Sequence, residues 1–268
     1  MKVLAALLMI CAAPVWAERI DPVDLIGIAS SHPADVVVLG EIHDNPAHHA
    51  NQARAVAALH PKALVFEMFT AEAAARLPVD RSDRGAVETA LGWQGWPDFG
   101  MYHPIFIAAL TAKIYGAELP RAAAKAVFSG GVAAVFGDEA ADYGLLQPLD
   151  RAEQSAREVE QAEAHCGALP TDLLPGMVTV QRLRDAMLAR AVVQALAETG
   201  GPVAVITGSG HARKDRGVAA VLAQVSPGTV VLSIGQLEDD PGADAPYDLW
   251  LVSDPLPRPD PCAELTGG

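Results

Sequence analysis

The sequence is short of basic residues, aromatics, cysteine and long apolar runs, and each shortage removes a class of function. Lys and Arg number 19 against 33 Asp and Glu, for a formal charge of −14. Nucleic acid is therefore not an expected partner, since binding it takes a basic stripe that displaces phosphate counterions. No apolar run approaches the roughly 20 residues of a membrane-spanning helix. The run over residues 3–13 is shorter, follows Met1-Lys2 and ends in Pro14-Val15-Trp16-Ala17. That is the charged start, apolar centre and small-residue exit of a secretory signal peptide, with cleavage expected after Ala17 and a periplasmic destination. Cys11 offers lipid attachment as the alternative, although Ile10 stands where lipoprotein processing takes a small residue.

Only Cys166 and Cys262 outlast such a leader. An oxidising compartment permits them to pair, and two separate thiols with Cys166 buried are equally compatible with the spacing. Three motifs are missing. Without Cys-x-x-Cys-His, haem would not be covalently attached. Without Gly-x-Ser-x-Gly there is no serine nucleophile elbow. Without Gly-x-Gly-x-x-Gly after a strand there is no dinucleotide fingerprint.

Length fits one α/β domain over residues 18–254. Asp35-Val36-Val37-Val38-Leu39-Gly40 and Ala63-Leu64-Val65-Phe66-Glu67-Met68 are short apolar runs of the kind that form strands buried on both faces. Between them Asp44 and Asn45 cap a helix with Pro46 at its first position, extending to about Leu59. This is a parallel βαβ unit. The grammar returns in Pro202-Val203-Ala204-Val205-Ile206-Thr207, Gly208-Ser209-Gly210, a helix near residues 218–225, and strands over residues 229–234 and 248–252. Residues 70–199 are predicted helical, with segments at 71–77, 86–91, 104–115 and 174–198. A mostly parallel sheet flanked by helices, with a helical insertion in mid-chain, is the expected fold. Pro and Gly accumulate after residue 238, which predicts a flexible tail over residues 255–268.

Glu41 and His43 follow the first strand, Glu67 ends the second, and His211 follows the strand at 202–207. In such sheets ligands sit beyond the carboxyl ends of the strands, so four donors gather there. Carboxylate and imidazole suit a divalent metal, with Glu41, His43 and His211 as its ligands; the plainer alternative is helix capping and loop hydrogen bonding. His48, His49 and Gln52 in the first turns of the helix point toward the same crevice or form a solvated face. On the long helix Arg184 and Asp185 read as a structural pair, or as a carboxylate-binding arginine beside an acid. Trp93, Trp96, Phe99 and Tyr102 gather the chain's sparse aromatics, 5% of all residues. Such a cluster packs a core or walls a flat apolar ligand, and a tyrosinate is a hard oxygen donor for ferric iron. His103 and His165 are alternative donors.

Taken together, Gly40-Glu41-Ile42-His43-Asp44-Asn45, His48-His49, Gln52, Glu67-Met68, the block from Trp93 to Tyr102, His165-Cys166-Gly167, Gln181-Arg182-Leu183-Arg184-Asp185 and Gly208-Ser209-Gly210-His211-Ala212-Arg213 resemble the ChaN-like haem-binding proteins. Their wider superfamily includes Tiki-type metalloproteases and erythromycin-esterase-like proteins. The resemblance implies haem handling at the bacterial cell envelope, haem held between the protomers of a homodimer, and an outer-membrane uptake system as partner. It implies a tyrosine as the iron ligand, with Tyr102 first because it lies in a matching block and Tyr115, Tyr143 and Tyr247 as alternatives. It also implies a histidine assisting, with His165 as a second ligand, and Arg184 and Arg213 as candidates to neutralise the propionates. The competing expectation is a metal-dependent hydrolase, in which a divalent ion lowers the pKa of a bound water and Glu67 acts as base.

Overall fold

The computed structural model describes residues 17–260 and 262–263; the leader up to residue 16, with Cys11, lies outside the described residues. Seven strands form one sheet: β1 (Glu18–Arg19), β2 (Val36–Glu41), β3 (Ala63–Phe66), β4 (Lys113–Gly116), β5 (Val203–Gly208), β6 (Val231–Leu237) and β7 (Leu249–Val252). Their order is β1-β7-β6-β2-β5-β3-β4, and every pairing is parallel. The continuous apolar runs have the reason expected of them. Side chains alternate across a strand, so Val36 and Val38 enter one core while Val37 and Leu39 enter the other. The Leu174–Thr199 and Val218–Val225 helices cover the first face, and the Pro46–Leu59 and Phe99–Ala108 helices the second.

The mid-chain departs from expectation at one point. A helix was expected over residues 104–115, but it runs from Phe99 to Ala108 and the chain then forms β4 at the sheet edge beside β3. Asp98 is the cap, accepting a hydrogen bond from Gly100 N at 2.9 Å, so Pro104 lies inside the helix instead of opening it. Beyond it, Ile114 and Tyr115 prefer a pleated surface.

The expected flexible tail is, as far as it is described, tied down. Arg258 donates to both carboxylate oxygens of Asp44, at 2.7 and 2.7 Å, and to Glu238 at 2.6 and 2.8 Å. Cys262 forms a disulfide with Cys166. The bond joins this segment to the turn that ends the Arg151–Ala164 helix, whose one buried residue is Arg157.

Candidate functional site

β2 and β5 lie side by side in mid-sheet with Glu41 registered against Gly208, and β3 borders β5. Three adjacent strands therefore deliver Glu41, Glu67 and the Gly208–His211 segment to one edge. A cavity of about 470 Å³ opens there. The strand ends form its floor, the long helix contributes Val178, Gln181, Arg184 and Asp185, and the Arg151–Ala164 helix contributes Arg157, Glu160 and Gln161. Gly208 leaves room for two side chains. A Cβ at this position would stand 3.3 Å from His43 Nε2 and 3.7 Å from Glu67 Oε2, so the glycine lets both groups converge on the floor.

Two imidazole–carboxylate pairs dominate the floor. His43 donates from Nδ1 to Glu41 Oε1 at 2.7 Å, leaving Nε2 toward the cavity. Glu41 is buried and also accepts from Gln52 Nε2 at 2.7 Å and from the Tyr102 hydroxyl. His211 donates from Nδ1 to Asp185 Oδ1 at 2.7 Å, and its Nε2 lies 3.5 Å from Glu67 Oε1. Glu67 is fixed in turn by Thr207 Oγ1 at 2.7 Å and Gly208 N at 2.8 Å.

These contacts set the protonation of the site. Burial opposes charge on His211, but the carboxylates of Glu67 and Asp185 outweigh it and raise its pKa to about 9. Burial likewise works against the Glu67 carboxylate, yet His211, His43 and the Gly208 and Thr207 donors bring it down to about 2. Burial pushes Asp185 up against the pull of His211; the imidazole is the proton holder of that pair. His43 is raised because its hydrogen bond to Glu41 and the charge of Glu67 exceed the cost of burial.

Several expected site residues are placed otherwise. Glu41, His43 and His211 do not converge as metal ligands; among the described residues no three His, Cys, Asp or Glu side chains group to hold an ion. Glu41 is already engaged by three donors, while His211 is bound to Asp185, so the expected metal centre and the hydrolase built on it find no support. Tyr102 is 0% exposed and is not part of the cavity lining, and its hydroxyl is engaged by the buried Glu41 carboxylate. Burial and the carboxylates of Glu41 and Glu67 raise its pKa far beyond the usual phenol range, which opposes a phenolate. Tyr115, Tyr143 and Tyr247 do not line the cavity either.

His48, His49 and Gln52 serve the framework rather than the cavity wall. His48 accepts from Ile42 N and donates to Ser253 Oγ, both at 2.8 Å, and burial lowers its pKa to about 4. His49 donates to the His43 carbonyl at 2.8 Å. His165 bonds the Gln161 carbonyl beside the disulfide, outside the cavity lining. His103 bonds the Arg81 carbonyl. Arg213 also lies outside the lining and is held by Asp215. Arg184 does line the cavity, but its expected pairing with Asp185 is replaced by a contact to Gln181 Oε1 at 3.3 Å. Trp96, 68% exposed, stands edge-on to His43 with ring centroids 6.3 Å apart. Arg157, Glu160, Gln161 and Arg216 were not anticipated at the site; the i, i+3, i+4 spacing of the first three was the available signal.

A family model described as haem-binding uptake, Tiki superfamily, ChaN, matches residues 28–222. Among solved structures the chain is similar to ChaN of Campylobacter jejuni, described by its cofacial heme binding. The TM-score is 0.62 and the identity 19%, over 85% of this chain and 89% of that one. At that identity the likeness speaks for the shared fold. The type III effector HopBA1 aligns with a TM-score of 0.46 at 16% identity, covering 87% of this chain and 94% of that one. No curated protein matches the sequence.

Proposed function

Because the chain belongs to the ChaN family of haem-binding proteins in the Tiki superfamily, we propose that it takes haem as cargo in the strand-end cavity, with His43 as the iron ligand. The observation that carries this reading is the His43–Glu41 pair. A histidine that ligates a metal commonly donates its second ring nitrogen to a carboxylate, which fixes the tautomer and raises ligand basicity. His43 donates from Nδ1 to the buried Glu41 and keeps Nε2 toward the cavity. The lining is mostly polar, with Ile42 and Val178 its apolar side chains, and three features in and beside the cavity support a porphyrin. The cavity, at about 470 Å³, is of the size that holds small organic ligands. Beside the cavity, outside its lining, the exposed indole of Trp96 offers a flat apolar face near His43, and the hydrogen bond of Arg184 goes to Gln181 rather than to a carboxylate that would compete with a propionate.

The Campylobacter protein is described by cofacial haem binding. Carried to this chain, two protomers would bring their cavity mouths together with haems stacked between them. That arrangement explains why Trp96 remains exposed in a single protomer. Export by the leader would place the protein in the periplasm, where it would receive haem from, or pass it to, an outer-membrane uptake system.

The test is a ferric haem titration of residues 18–268, followed at the Soret band, for the native protein and His43→Ala. The expected result is saturable binding with an imidazole-type spectrum that the variant loses, weakening affinity by at least about tenfold. An unchanged spectrum in His43→Ala would remove His43 as ligand, and absence of saturable binding to the native protein would remove the haem reading.

A further inference from the structure

Behind the wall of the main cavity lies a smaller one of about 170 Å³. It shares Arg157, Asp185 and Arg216 with the first and adds Arg182 and Asp215. Three guanidinium groups thus face two carboxylates, and both carboxylates are already matched to cations that lie outside this trio. Asp185 accepts from His211 at 2.7 Å, and Asp215 accepts two bonds from Arg213, at 2.9 and 2.6 Å. Arg216 reaches Glu160 at 2.6 Å, and Arg157 bonds Glu153 within its own helix.

Arg182 is different. Its hydrogen bonds go to main-chain carbonyls, Gly144 O at 2.6 Å and Gln147 O at 2.9 Å. Burial, and then the neighbouring charge of Arg157, lower its pKa. Arg157 supplies the second sign of an unmet need: it is only 9% exposed, and its Nε has no hydrogen-bond partner. A buried charged donor without an acceptor is costly, and the Arg157 charge works against that of Arg182, offset in part by Glu153 and Asp185. An oxyanion relieves both, because its paired oxygens match the guanidinium fork. The space is adequate, several times the roughly 30 Å³ share of one water molecule.

We propose that this inner cavity is an anion site, in which Arg157 and Arg182 hold a carboxylate or phosphate group with Arg216 at its opening. The group has two sources with the same chemistry: a free oxyanion, or a carboxylate carried by the ligand of the main cavity. The second source rests on the haem reading and would make the site the anchor of one propionate; the first does not depend on it.

The experiment has two arms, each run on the native protein, Arg182→Gln and Arg157→Gln, with two variants so that one failing to fold leaves the test intact. In the first, inorganic phosphate is titrated into haem-free protein at constant ionic strength with chloride as control, and binding is read by calorimetry. Saturable uptake that either variant weakens by about tenfold or more assigns a free anion. In the second arm, affinity for haem is compared with affinity for its dimethyl ester, whose propionates are capped. A native preference of about tenfold for the diacid that Arg182→Gln abolishes assigns the ligand carboxylate. The proposal is overturned if phosphate binds no better than chloride and the diacid preference is absent or survives both variants. Failure of the haem reading would look different, since neither porphyrin would bind while phosphate uptake could persist.

Discussion

Replacing Tyr102 by Phe separates two roles that the residue cannot hold at once. As an iron ligand it would have to present a phenolate to the cavity. In the fold it is fully buried, its ring packed 4.3 Å from that of His49 and 5.0 Å from that of Trp93, and its hydroxyl donates to Glu41. Phe retains the ring, so no apolar packing is lost. The loss is one hydrogen bond to a buried carboxylate that keeps His43 and Gln52 as donors. A bond to a charged group contributes about 1.5–3 kcal/mol, so a destabilisation of about 2 kcal/mol is expected. At roughly 2–4 °C per kcal/mol for a chain of this size, Tm should fall by about 4–8 °C. Urea unfolding should show a lower midpoint at unchanged slope, and the ferric haem spectrum of the folded variant should keep its shape. A variant as stable as the native protein but with its haem spectrum lost would refute the reasoning and return Tyr102 to the iron.

Three further outcomes follow from named contacts. The Cys166–Cys262 bond closes a loop with a sequence separation of 96; the double Ser variant should lose about 4 kcal/mol in urea unfolding, and an unchanged midpoint would mean the bond does not constrain the unfolded chain. His211 has a folded pKa of about 9 against the ordinary 6.5, so its contribution is complete below pH 6.5 and disappears as pH rises toward 9. The span amounts to roughly 3 kcal/mol, to be read as a falling Tm over that window which His211→Asn flattens; a parallel fall in the variant would locate the titration elsewhere. In Gly208→Ala the new methyl would crowd His43 Nε2 from 3.3 Å, so haem affinity should drop by about tenfold with little change in Tm, and undiminished affinity would show that His43 yields without consequence.

The central βαβ unit was legible because the two strands are continuous apolar runs and the helix between them carries its own start signal, Asn45 followed by Pro46. The strand-end position of Glu41, His43, Glu67 and His211 followed from that topology. The rest depended on contacts between distant residues. β4 has four residues and sits at an edge directly after a helix, too short for a period to declare itself. Asp185 was noticed beside Arg184, but the structure pairs it with His211, 26 positions away. Tyr102 is the expected iron ligand because it lies in a block resembling the family, and the sequence leaves open whether its aromatic cluster packs a core or walls a ligand; with Asp98 as the helix cap, the tyrosine falls on the inward face. In the Arg151–Ala164 helix the i, i+3, i+4 spacing of Arg157, Glu160 and Gln161 puts them on one face, but a polar face of this kind reads as solvated until the long helix and the strand ends are set against it.

Glu41 explains why these separate parts amount to one site. Its carboxylate receives Tyr102 from the Phe99–Ala108 helix, Gln52 from the Pro46–Leu59 helix and His43 from the turn after its own strand. Burying such a group is tolerated only when its lone pairs are met, so the packing of both helices and the orientation of the imidazole become conditions of one another. Across Gly208, Glu67 repeats the scheme with Thr207, the main chain and His211. Two imidazoles are thereby set at a common floor with different partners and different readiness to release a proton. His211, between two carboxylates, keeps its proton through neutral pH; His43, with one bonded carboxylate and 29% of its side chain exposed, is the more accessible of the two, which is why the proposed haem reading assigns it to the iron. The division of labour between two chemically identical side chains is thus set by their carboxylate partners, Glu41 at the end of β2 for His43, and Glu67 after β3 with Asp185 of the long helix for His211.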